Sequence, residues 1–342
     1  MGVEEEFLLL DPDGAVAPAA PDVMRRIGHD DRIKPEYMAY QLETATSVCT
    51  GLDELRQELT RLRLTAAEAA ENAGVYLVAS GAPPFRAGPL DALSSEDRYR
   101  ELAARFPAAT AAGGTCGCHV HIGIPDRELA TAVLSRIRPW LPTLLALTVN
   151  SPVSDGDTGW ASFRYQNQLY WPTFRPPGVW PSAESYDREV RSLVDAGTAV
   201  DVSGIYFLAR LSARYPTIEV RVADTGLSVE DTVLFAGVTR ALVATLIDDI
   251  RQRAKVMPAP GHRVSEQLLA AARSGTGQTA RLLQKIIPRL DAAGDTGAVL
   301  AGIERLRREG TGAQRQRQLW QKYGPTSGFI GALAAETVPA RI

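Results

Sequence analysis

Gly2-Val3-Glu4-Glu5-Glu6-Phe7-Leu8-Leu9-Leu10-Asp11 is an apolar run broken by three acids, and the turn Asp11-Pro12-Asp13-Gly14 closes it. The pattern predicts a strand over residues 3–10. Because a strand has period two, Glu4 and Glu6 share one face while Val3, Glu5 and Phe7 take the other. Two carboxylates on one face of an apolar strand repel each other unless something positive lies between them. A divalent cation does this well, and Mg²⁺ prefers carboxylate and water oxygens. For an isolated Glu-Glu-Glu run the plain alternative is a solvated edge strand.

Working outward, a second strand is predicted over 37–49, with β-branched Thr44, Thr46 and Val48 along it. Glu43 interrupts this β-rich segment and Glu36 lies near its start; Glu43 alone could equally pair with an arginine. A third strand, over 115–124, carries His119 and His121, two of the chain's four histidines, at i and i+2 on one face. Two imidazoles so placed suit a divalent ion or a phosphate. Cys116 and Cys118 in the same segment raise a thiolate–zinc site, but Cys-x-Cys-His-x-His crowds its ligands too closely for the usual tetrahedron. The glycines around them imply close approach of backbone to another segment or a ligand.

Strands over 203–211 and 217–222 are joined by the tight turn Ala213-Arg214-Tyr215-Pro216. In the second of them Thr217, Glu219 and Arg221 alternate with Ile218, Val220 and Val222, so an acid and a base share a polar face. The alternative is a cross-strand salt bridge. Residues 150–182 are rich in Pro, Gly and aromatic residues and read as a binding loop or lid. Arg164 and Arg175 within it suit bidentate capture of a phosphate or carboxylate, or are simply surface arginines. Four strands thus each present a Glu or His on a polar face, the arrangement of a multi-metal, polyphosphate site.

Helices are predicted over 53–72, capped by Asp53 and stopped by Gly74, and from Pro125-Asp126 to about 149, divided near Pro139 and Pro142. A short strand covers 75–80, and successive helices run from about 228. The expected class is α+β with a helical C-terminal layer, in one domain over 1–342: a sheet-rich core over 1–227 and a helical part over 228–342. No G-x-G-x-x-G follows a strand and no phosphate-loop motif occurs, so ATP, if used, is held another way.

The 342 residues are 45% hydrophobic, enough for a sizeable core. A net charge of −3, with no Lys/Arg run longer than two, argues against nucleic-acid or acidic-membrane surfaces and for small-molecule chemistry. The start shows no basic region followed by an apolar stretch, so no signal peptide is expected. The apolar stretch 141–149 is too short to span a membrane. Three cysteines fit a reducing compartment, and a cytoplasmic protein is expected.

Five ordered motifs carry a resemblance: GVEEEFLLLD at 2–11, QLETAT at 41–46, GCHVHIGI at 117–124, NSP…DTGWASFR at 150–164 and YPTIEVRVADT at 215–225. The chain resembles bacterial carboxylate–amine ligases of the glutamate–cysteine ligase type 2 group over most of 2–275. Past about 275 the likeness is mainly length, helical character and Gln314-Arg315-Gln316-Arg317. The resemblance implies a glutamine-synthetase-like fold, a curved, mainly antiparallel sheet forming a funnel with flanking helices. It also implies ATP and two or more Mg²⁺ ions held by Glu4, Glu6, Glu43, His119 and Glu219, with Glu36 a further candidate. Arg221 would face the transferred phosphoryl group or the substrate carboxylate, Arg164 would lie near nucleotide or substrate, and Thr217 and Arg210 would help to bind the nucleotide.

A carboxylate is a poor electrophile, so the implied reaction first makes an acyl phosphate from ATP and then lets an amine displace phosphate. Loop 150–182 would exclude water. The partners expected are small-molecule acid and amine substrates, with a homo-oligomer possible. Two departures leave glutamate and cysteine open as substrates. Leu208 stands where the family's aromatic-aromatic-Asp-x-Arg segment has its acid, and Glu266-Gln267-Leu268-Leu269-Ala270 replaces an Asn-Arg-Trp-Arg-like run, with Arg273 kept. The alternatives are an amide or phosphate metallohydrolase using the same Glu/His cluster, and a catalytically reduced nucleotide-binding homologue.

Overall fold

Strand β1 (Gly2–Leu10) lies within a seven-stranded sheet in the computed structural model, which describes residues 1–254 and 259–338. Segments 255–258 and 339–342 of the expected domain lie outside the described residues. The other strands are β2 (Ile33–Pro35), β3 (Gln41–Ala45), β4 (Tyr76–Val78), β5 (Gly117–Gly123), β6 (Ala209–Leu211) and β7 (Thr217–Asp224). Their order is β2-β3-β1-β5-β7-β6, and every pairing is antiparallel. β5 pairs with the first half of β1 and β4 with its last three residues.

Alternation sorts the sheet into two faces. Val3, Cys118, Val120, Val220 and Val222 join the helices Leu52–Asn72, Arg127–Ile137 and Val229–Arg251 in the main core. Glu4, Glu6, His119, His121, Glu219 and Arg221 take the opposite face, as the period predicts. Glu5 carries a charge into the helix-covered side. There Arg63, on the helix Leu52–Asn72, holds it with Nε at 3.0 Å and Nη2 at 2.6 Å. Both side chains are fully buried.

Several elements differ from expectation. The strand foreseen over 37–49 shortens to β3, because Gln41 N bonds Met38 O at 2.8 Å and turns the chain there. That foreseen over 203–211 reduces to β6, because Asp201 caps a 3₁₀ turn at Val202–Gly204. Asp53 does not cap its helix; Gly51 occupies that position and Asp53 pairs with Arg56 at 2.6 Å. The long apolar helix is divided as foreseen, into Arg127–Ile137 and Leu141–Thr148, by a 3₁₀ turn holding Pro139. Among the described residues no helix is long and apolar enough to cross a membrane.

From Val229 the described chain is helical apart from its connections. Asp231 begins the helix Val229–Arg251 in a capping box with Ser228 and ties later helices to it, pairing with Arg305 at 2.5 Å and with Arg315. Burial opposes its ionisation, but the two guanidinium groups outweigh it and lower the Asp231 pKa below 3.8. A depressed folded pKa gives stability that is full above the unfolded value and lost as pH falls through the folded one. We expect Asp231→Asn to cost about 3 kcal/mol near pH 7. Thermal melts at stepped pH should show that difference shrinking only below about pH 4.

Candidate active site

The polar face is assembled by register. Glu6 sits directly opposite Glu43, Glu4 opposite His119, and His121 opposite Glu219, while Lys34 opposes Glu43 and Arg210 opposes Glu219 at the two flanks. Glu4, Glu6, Glu43, His119 and Glu219 therefore fall on one surface, in two groups that share His119, and Glu36, just past β2, joins the second group beside Glu43 and Glu6.

In the first group His119 Nδ1 lies 3.2 Å from Glu4 Oε2 and 4.0 Å from Glu219 Oε1. His121 Nε2 lies 3.6 Å from Glu4 Oε1. Burial opposes ionisation of Glu4, yet the two imidazoles more than offset it and hold its carboxyl well below the usual range. Glu219 is likewise buried and likewise kept ionised, by Arg221 and Arg210. Arg210 grips it bidentately, Nε to Oε2 at 2.8 Å and Nη2 to Oε1 at 3.1 Å, and Arg221 pairs with the same Oε1.

In the second group His119 Nε2 is 3.7 Å from Glu6 Oε1, and Lys34 Nζ is 2.7 Å from Glu43 Oε1. Burial raises the pKa of Glu6, and Arg164 only partly offsets it. Burial and then Glu4 raise Glu43; burial, Glu43 and Glu6 raise Glu36 further. This is a group of desolvated acids, with Lys34 against Glu43 and Arg164 and Arg221 against Glu6. Burial and the nearby Arg221 bring the His119 pKa down to about 4, so the ring is neutral near pH 7 and free to act as a ligand. His119 Nε2 and His121 Nε2 are buried without hydrogen-bond partners among the described residues. Clustered carboxylates whose burial resists ionisation, facing orphaned imidazole nitrogens, fit divalent cations.

Arg164 comes from the loop yet is buried, because Gly117 leaves it room: a Cβ there would stand 2.5 Å from Nη2. Its Nη2 donates to the Arg221 carbonyl at 3.3 Å, while Nε and Nη1 make no hydrogen bond among the described residues and Nη1 stands 3.9 Å from Asp224 Oδ1. Asp224 anchors this part of the loop, accepting from Asn150 N at 2.8 Å and from the Ser151 and Ser162 hydroxyls at 2.7 Å each. The expected lid is thus pinned over 150–164. Arg175 is turned away, paired with Glu189 at 2.6 Å. Thr217 Oγ1 engages His121 Nδ1 at 3.0 Å.

Glu6, Glu36, His119, Arg164 and Arg221 open onto one cavity. Its far wall is aromatic: Trp171 packs on Tyr206 at 5.0 Å and on Tyr37 at 5.9 Å, and Tyr37 on Tyr99 at 5.4 Å between ring centroids. Sequence reading missed this wall and the Asp224 anchor. The acid at the end of YPTIEVRVADT was a signal for Asp224. Nothing local marked Tyr37 or Tyr99.

The profile of glutamate-cysteine ligase family 2 matches residues 1–336. The chain belongs to that family. A Salinispora tropica protein provisionally named glutamate–cysteine ligase 2 is 41% identical to it, over 99% of this chain and 95% of the relative. A Mycobacterium sp. (strain KMS) protein provisionally named glutamate–cysteine ligase 2-2 is 40% identical, over 99% and 98%. Among solved structures, a Francisella tularensis glutamate–cysteine ligase in complex with AMP superposes with a TM-score of 0.70 at 15% identity, covering 97% of this chain and 86% of that one. A Pasteurella multocida bifunctional glutathione synthetase gives 0.69 at 16%, covering 97% of this chain and 51% of that one. These likenesses show the expected α+β ligase fold. Family membership gives the reaction class, ATP-dependent joining of a carboxylate to an amine with a divalent metal, and the hydrolase alternative is not favoured.

Proposed function

We propose that the chain activates the carboxylate of a glutamate-like amino acid as an acyl phosphate, releases ADP, and transfers the acyl group to cysteine or another amine. The carrying observation is that Glu4, Glu6, Glu43, His119 and Glu219 meet on one sheet face with Arg221, and that Glu6, His119, Arg221 and Arg164 line one cavity. These residues, with Glu36 at the cavity wall, would hold two or more Mg²⁺ ions. When bound, the ions neutralise triphosphate charge and orient the γ-phosphoryl group. Arg221, held by Glu219, and Arg164, which lines the same cavity, would bind phosphoryl or carboxylate oxygens. The aromatic wall would keep water from the acyl phosphate. Arg210 would serve by fixing Glu219 and Thr217 by fixing His121, each one step from the nucleotide. The sheet-rich part and the helices from 228 would work as one ligase domain, supported by the core they share.

Purified protein with Mg·ATP should release ADP only when both an acid and an amine are supplied. With hydroxylamine as the amine, the trapped product should be a hydroxamate of the acid. ADP release that ignores the amine would overturn the reading. Glu43→Gln should lower turnover at least about a thousandfold while leaving the melting temperature within a few degrees. Turnover persisting in that variant would remove Glu43 from the metal site.

A further inference from the structure

His121 is the one member of the imidazole pair to which family resemblance assigns no task. Its ring is buried, with Nδ1 held by Thr217 Oγ1 at 3.0 Å. Its free Nε2 points into the first carboxylate group with no hydrogen-bond partner among the described residues. The nearest carboxylate oxygen, Glu4 Oε1, is 3.6 Å away, beyond a hydrogen bond. Yet one ligand atom from each of Glu4, His121 and Glu219 falls within 4.8 Å of the other two. Around a small divalent ion adjacent donors stand about 3.0 Å apart and opposite ones about 4.2 Å, so the three atoms are near enough for side-chain adjustment to bring them onto one ion.

An imidazole oriented through its other nitrogen is the usual form of a histidine ligand. With Nδ1–H donating to Thr217, the lone pair is on Nε2, an assignment made from the hydrogen-bond network. The Tyr215 ring stands roughly perpendicular to His121 with its centroid 6.2 Å away. By contrast His119 Nδ1 already lies 3.2 Å from Glu4 and 3.3 Å from Arg221.

We propose that His121 is a metal ligand through Nε2, completing with Glu4 and Glu219 a position that binds Mn²⁺ in preference to Mg²⁺. Mg²⁺ takes oxygen donors, while an imidazole nitrogen favours transition-series ions, so a mixed donor set tilts the choice. Thr217 is the positioning residue for this ligand.

The inference rests on the metal-dependent reading of the site, and the two fail differently. Wild-type protein loaded with Mn²⁺ alone should show ¹⁴N imidazole couplings by pulsed electron paramagnetic resonance. It should also bind Mn²⁺ more tightly than Mg²⁺ by calorimetry. His121→Asn should lose one set of couplings and more than about tenfold in Mn²⁺ affinity, with a smaller loss for Mg²⁺. Thr217→Val, which leaves the imidazole in place, should lose less of both and be non-additive with His121→Asn. Couplings unchanged in His121→Asn but abolished in His119→Asn would give the nitrogen to His119 and overturn the proposal. So would equal losses for the two metals. No divalent binding by the wild type would end the metal reading as a whole, whatever His121 does.

Discussion

Arg63→Met is expected to lower the unfolding free energy by about 3–5 kcal/mol, the largest stability loss for a single side chain here. Arg63 and Glu5 have no exposed side-chain surface, and the guanidinium also donates to the carbonyls of Gly226 at 2.8 Å and Thr337 at 2.9 Å. It therefore joins the first strand to the chain after β7 and to the last described helix, Ser327–Thr337. Methionine fills much of the volume but leaves the Glu5 carboxylate in a dry core with only the Thr232 hydroxyl. Urea denaturation measures the loss. Adding Glu5→Gln to the methionine variant should recover part of it, because the uncompensated charge and not the lost packing carries most of the cost. A change under about 1 kcal/mol in Arg63→Met would show that water reaches Glu5.

Arg221→Ala is expected to reduce kcat by about 10²–10³-fold, with a smaller change in the KM for ATP. Arg221 pairs with Glu219, lies 3.3 Å from His119 Nδ1 and lines the cavity. Charge developing on a transferred phosphoryl group is what such a cation stabilises. Glu219 would stay in place, since Arg210 holds both its oxygens, so the variant tests the cation and not the acid's position. Arg221→Lys should fall between the two, because an ammonium keeps the charge but loses the planar fork. Steady-state assays at saturating acid and amine decide it. Turnover above a tenth of wild type in Arg221→Ala would remove the residue from the reaction.

Most of the polar face was legible in the sequence because strand alternation is a local rule. Glu4 and Glu6, His119 and His121, and Glu219 and Arg221 each fall two apart, and each pair emerges on the same side. Strand ends were read less well. Gln41 turning the chain at Met38 and Asp201 capping Val202–Gly204 are side-chain-to-backbone choices that hydropathy patterns do not register. The lid expectation failed over 150–164 for a related reason. Loop composition says nothing of the buried acid, 60 or more residues away in sequence, that pins it.

What the sequence determined by itself was therefore the set of chemical groups on each strand and the face each one takes. Beginning from Glu4 and Glu6, that was enough to place the acids and imidazoles on one polar face. Only the tertiary structure decided how the strands slide against one another, and register is a long-range property set by packing on the opposite face. Register puts Glu43 against Glu6 and His121 against Glu219. It gives Glu5, the middle acid of the same run, to Arg63 in the core. It also leaves the His121 Nε2 atom free among carboxylates, a vacancy in hydrogen bonding that no spacing of residues along the chain could reveal.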